Sequence, residues 1–217
     1  MVSVLRALAF VPLLAACWTG RTMTPPEDVP APTDPHRGVI TATLKIDAQP
    51  GPRHFQGVWL EHGERRWIVD YRARDLWRPF DQLEVSVTGY CFAPYGEAIN
   101  ASHFAIDTLR VADRKAAREL LGLGPEIALT GMFAERAHPA GSKLAGSAQG
   151  VFEADGVRYA IAGGEPGTAA ATVLARKVEV NPSYAATTGG SQLWIVAVHE
   201  PGWTVDPSQA PTKIPCR

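Results

Sequence analysis

Proton transfer and metal binding need His, Asp, Glu or Cys side chains at workable spacing. The six histidines are His36, His54, His62, His103, His138 and His199. No two fall at i, i+4 on an expected helix, and no Cys or Asp stands beside them at ligand spacing. The chain lacks a G-x-S-x-G elbow, a phosphate-cradling glycine loop and an H-E-x-x-H pair. The first groups to try as a hydrolase are His103, Asp107 and the acids Asp70, Asp75 and Asp81. They would have to converge in one cleft, since acid–base partners need hydrogen-bond reach. The same acids, with Glu84, could hold a cation, but Arg72, Arg74 and Arg78 interleave with them and favour local ion pairs. The expectation is no metal, no cofactor and no catalytic set. Aromatic residues carry a different chemistry, stacking. Trp59, Trp67, Tyr71, Trp77, Phe80, Tyr90, Phe92 and Tyr95 crowd into one stretch. Trp67 lies in an apolar strand and reads as core, with Trp59 as its partner. Arg72, Arg74, Trp77, Arg78, Tyr90, Phe92 and Tyr95 fall in or near loops. They form the candidate ligand surface, suited to a sugar, a peptide or a base.

The N-terminus has the parts of a secretory signal. Arg6 supplies a positive charge, and Ala7 to Ala16 is an uncharged run too short to span a bilayer as a helix. It closes on Leu14-Ala15-Ala16-Cys17, which resembles the lipobox of bacterial lipoproteins. That resemblance implies cleavage before Cys17 and diacylglycerol on its thiol, and two or three acyl chains hold a protein stably. Trp18, not Asp, follows the cysteine, which leans toward the outer membrane. Residues 18 to 37 read as a tether. Pro25, Pro26, Pro30, Pro32 and Pro35 hold the stretch extended at about 3.1 Å per residue. With Cys17 lipidated, Cys91 and Cys216 remain as an even pair, read in an oxidising envelope as a disulfide.

The 217 residues carry a net charge of −1, which argues against nucleic-acid binding by counterion release. No second apolar run is long enough for a span, so the body is expected to be soluble.

The body reads as β. Val39 to Ile46 alternates, with Ile40, Ala42, Leu44 and Ile46 on one face. Val58 to Leu60 and Arg66 to Tyr71 flank His62-Gly63-Glu64, a hairpin turn. Leu83, Val85 and Val87 mark a fourth strand, and Phe104 to Val111 a fifth. Ala73 to Phe80 is an insert between the third and fourth. The second half repeats this plan. Strands are expected at Ile127 to Met132, Gly150 to Glu153, Arg158 to Ile161, Val178 to Val180 and Leu193 to Val196. Asp113 as N-cap, Ala116, Ala117 and Leu120, with Gly122 as the stop, predict a helix over Arg114 to Leu121.

Five strands with an insert after the third resemble the OB-fold, a small Greek-key barrel. The expected fold is therefore mainly β, with two OB-like five-stranded barrels in tandem. The alternative is a single β-sandwich. The expected organisation is a signal peptide at 1–16 and a lipidated cysteine with its tether at 17–37. An OB-like domain at 38–112, a connecting helix at 113–124 and a second OB-like domain at 125–217 follow. The function this implies is a non-catalytic binding or assembly module for an envelope protein or cell-wall glycan, held by its lipid. A structural spacer and a divergent hydrolase are the alternatives.

Overall fold

The computed structural model describes residues 37–47, 57–94, 101–138, 140–141, 145–183 and 191–216. All lie within one compact unit, Pro32–Arg217. The signal, Cys17 and the Pro-rich stretch up to His36 lie outside the described residues.

The fold is mainly β, with a closed five-stranded barrel and further strands. The barrel is built from β1 (Arg37–Ile46), β2 (Val58–His62), β3 (Arg65–Asp70), β4 (Glu84–Ala93) and β5 (Ser102–Val111). β1 pairs with β2, β2 with β3, and β5 with β4, all antiparallel. β3 meets β5 in parallel through Trp67 and Ile68, and β4 returns to β1 to close the ring. Period-2 alternation explains the inward set: Ala42 and Leu44, Val58 and Leu60, Val85 and Val87 are buried, with polar neighbours facing out. Each large core side chain contributes about 1.5–3 kcal/mol by its burial. Trp67 is core as expected. Trp59 is not, because the same alternation turns it outward, where the Arg66 guanidinium lies over its ring.

Gly89 marks the sharp bend of β4. A Cβ there would stand 1.9 Å from the Ala105 carbonyl oxygen, and the β4–β5 register slips at that point.

The insert between β3 and β4 is a 3-10 helix, Asp75–Phe80. Pro79 lacks an N–H and keeps it short. Its Leu76, Trp77 and Phe80 are buried in the barrel core.

The remaining strands are β6 (Leu120–Ala137), β7 (Ala148–Ala154), β8 (Val157–Gly163), β9 (Ala170–Val180), β10 (Gln192–His199) and β11 (Thr212–Ile214). β6 pairs with β7, β7 with β8, β10 with β9, and β9 with β6, all antiparallel; β8 and β10 are parallel. Asp155-Gly156 joins β7 to β8 with both residues at positive φ, the two-residue turn that matches strand twist. A second core gathers Phe152, Tyr159, Val173, Leu193 and Ile195.

The connecting helix expected at 113–124 does not form. Residues 114–116 make one turn, and β6 begins at Leu120. The side chain of Asp113 caps only the Lys115 amide. Tertiary partners take the carbonyls a helix would need: Asn181 donates from its side chain to Ala117 O and from its amide to Glu119 O. Leu120, Leu121 and Leu123 then pack into the first core. β6 slips register between Leu123 and Glu126, where Pro125 removes a ladder donor, and runs on to the second core.

Cys91 and Cys216 form the expected disulfide, with Cα atoms 5.2 Å apart. β11, unforeseen in the sequence, pairs with Cys91, Phe92 and Ala93 of β4. It covers the part of that edge that β1 leaves open, since β1 reaches only to Tyr90.

Candidate functional site

The structure gathers four of the seven expected surface residues around one cavity. Arg72, Arg74, Trp77 and Phe92 line a space of about 590 Å³, with Glu126 and Arg176 on the far wall. Arg78 instead borders a separate cavity with Asp75 and Trp194. Tyr90 lies beneath the Lys213 ammonium, 4.8 Å from its ring. Tyr95 lies outside the described residues.

Trp77 belongs to the floor. It is nearly buried, and its indole N–H donates to the Asp70 carboxylate at 3.0 Å. The same carboxylate pairs with Arg74 at 3.0 Å. Asp70 also accepts from the Arg72 amide, which fixes the turn leaving β3. The Arg72 guanidinium has no ion pair among the described residues and stands exposed at the rim.

Arg176 lies on β9. Its guanidinium donates to the carbonyls of Ile106, Asp107 and Gly124 at 2.9 to 3.1 Å. One side chain thus bridges β5, β6 and β9. Burial pushes its pKa down. The Glu126 and Asp107 carboxylates push it back up, and Arg74 opposes them. No local signal separates Arg176 from the neighbouring Lys177, because only the tertiary fold decides which of them is enclosed.

The candidate hydrolase groups each meet a different partner. His103 is 1% exposed, and its Nε2 lies 2.5 Å from the Tyr71 hydroxyl. Phe92 packs on its ring at 5.4 Å. Asp107 pairs with Arg37, Asp75 with Arg78, and Asp81 accepts from the Ile46 amide. Arg74 and Arg78 therefore act as local ion-pair partners, as their spacing suggested, whereas Arg72 does not among the described residues. Among the described residues no group of three His, Cys, Asp or Glu side chains is placed to hold a metal. No helix among them is long and apolar enough to cross a membrane.

No protein-family model, curated protein or solved structure matches this chain. Its chemistry is read from its own residues.

Burial of His103 pushes its pKa below the ordinary value, and the Ala101 backbone offsets this in part. Its Nδ1 is buried and meets no acceptor in hydrogen-bond geometry. A histidine with a depressed folded pKa favours the unfolded state once protons are taken up. Its contribution is therefore complete above about pH 6.5 and fades as pH falls from there through the folded pKa. Urea midpoints measured from pH 8 to pH 5 are expected to fall more steeply for the native protein than for His103→Phe. Parallel curves would show that His103 is not the group responsible.

Proposed function

We propose that this protein is a lipid-anchored bacterial envelope lipoprotein whose body binds a partner protein or a cell-wall glycan. The observation that carries the binding reading is the cavity wall shared by Arg72, Arg74, Trp77 and Phe92. It offers an unpaired guanidinium for carboxylates and an aromatic ring for sugar or side-chain stacking. The disulfide supports an oxidising compartment, in line with the lipobox-like N-terminus. The separate engagement of His103, Asp75, Asp81 and Asp107 favours binding over hydrolysis.

The body is read as two OB-like barrels in tandem. Support comes from strand order. β1 to β5 pair as 1-2-3-5-4 with return to 1, and β6 to β10 repeat that order, each with one parallel contact. The two separate cores point the same way. A spacer role is the second reading, favoured by the ion pairs that already occupy Arg74 and Arg78.

Three experiments test this. Soluble muropeptides titrated against the protein are expected to change tryptophan fluorescence, and a detergent-solubilised envelope is to be tested for a retained partner. Arg72→Ala is expected to weaken either interaction about tenfold, or 1.4 kcal/mol, without altering the melting temperature. Retention of neither ligand leaves the spacer. Alkyne-palmitate labelling is expected on the native chain and absent from Cys17→Ala. An unlabelled, buffer-soluble native product would end the lipoprotein reading.

A further inference from the structure

β1 has an open edge. Its C-terminal half pairs with β2 from Thr43 to Ile46, but β2 stops at His62, where Gly63 turns the chain at φ 59°. Residues 37–42 therefore have β4 on one side and no strand on the other among the described residues. A groove of about 750 Å³ lies along this edge, between Gly38 to Thr41 and the hairpin tip at His62, Glu64 and Arg65.

Hydrogen-bond parity shows which groups face it. Leu44 donates to Leu83 O and accepts from Gln82 N, so even-numbered residues of β1 address β4. Asp47 donates to Gly57 O, so odd-numbered residues address the other side. By strand alternation the N–H and C=O groups of Arg37, Val39 and Thr41 point into the open groove. Trp67 lines the same groove, and its indole N–H is a buried donor without an acceptor.

A row of unpaired main-chain groups is a template for another strand. Protected edges carry Lys or Pro. β11 does, with Lys213 between Pro211 and Pro215. The open part of β1 reads Arg-Gly-Val-Ile-Thr-Ala, with neither, and its β-branched residues favour strand pairing. Val39 is 62% exposed, the most exposed large apolar side chain among the described residues.

We propose that this edge pairs with the same edge of a second copy, antiparallel, about a two-fold axis at Val39. Arg37 then faces the copy's Thr41, Val39 faces Val39, and Thr41 faces Arg37. All three are hydrogen-bonded positions, giving about six main-chain bonds. The length fits the space. The paired run from Arg37 to Thr41 spans the groove and stops short of Thr43, where pairing with β2 begins. The chain's own Pro-rich stretch is a poor occupant, because its five prolines lack the amide that the edge requires. A short edge of this kind makes a weak, reversible dimer.

The test is sedimentation equilibrium of the full chain in density-matched detergent, at concentrations up to about 1 mM. The native protein is expected to shift from monomer to twice that mass. Val39→Pro removes one outward amide and no bond to β4, and should remain monomeric with an unchanged melting temperature. If Val39→Pro unfolds, Val39→Lys serves in its place, since a charge at the two-fold repels its copy. Amide exchange at Val39 and Thr41 should slow as concentration rises. A native protein of constant monomer mass overturns the proposal. So does a dimer that survives both substitutions, or one that leaves exchange at Val39 and Thr41 unchanged.

Discussion

Replacing both Cys91 and Cys216 with alanine is expected to cost about 4 to 5 kcal/mol of folding free energy in the chain-entropy model. The bond closes a loop with a sequence separation of 125, so it removes much of the freedom of the unfolded chain. A local effect adds to this. β11 is three residues long, and all three lie on the exposed surface, so it buries little to hold itself against β4. Without the bond its pairing with Cys91, Phe92 and Ala93 should open, exposing main-chain groups at the barrel edge. Urea unfolding followed by tryptophan fluorescence, with and without reductant, measures the effect. The alanine pair should match the reduced native protein. A loss under about 1 kcal/mol would mean that the tail is held by other contacts.

Arg176→Met is expected to cost about 2–4 kcal/mol. The methionine stem fills similar space, so the loss is chiefly electrostatic. The carbonyls of Ile106, Asp107 and Gly124 lose a charged donor at once, and Glu126 and Asp107 lose a neighbouring positive charge. Arg176→Lys keeps the charge, but an ammonium cannot place planar donors on three carbonyls. It should recover less than half of the loss. Equal stability of the native and methionine proteins in urea would show that water replaces the guanidinium at no cost. Because the side chain bridges β5, β6 and β9, the same substitution should speed amide exchange at Ile106 and Gly124.

The seven-residue surface divides along a physical line. Arg72 and Arg74 line the cavity from the segment after β3, Phe92 lines it from within β4 rather than from a loop, and Trp77 is drawn into the floor by an indole bond to Asp70. Loop position alone could not separate rim from floor, because a 3-10 helix turns one face inward. Nor could it show that His103 is enclosed by Tyr71 and Phe92.

Alternation of apolar and polar residues, the Gly63 turn and the even cysteine pair were enough to indicate a β protein, most of its strands and its disulfide. These signals are local, or need only a count, and each residue carries them wherever it lies in space. Three features waited for the tertiary structure. Asn181 captures the carbonyls of 117 and 119 and turns an expected helix into a strand. Strand pairing encloses Arg176 and leaves its neighbour Lys177 outside. The short β2 leaves part of the β1 edge without a partner strand among the described residues. Each depends on groups far apart in the chain that meet only when the sheet closes, and long-range contact of that kind overrides local preference.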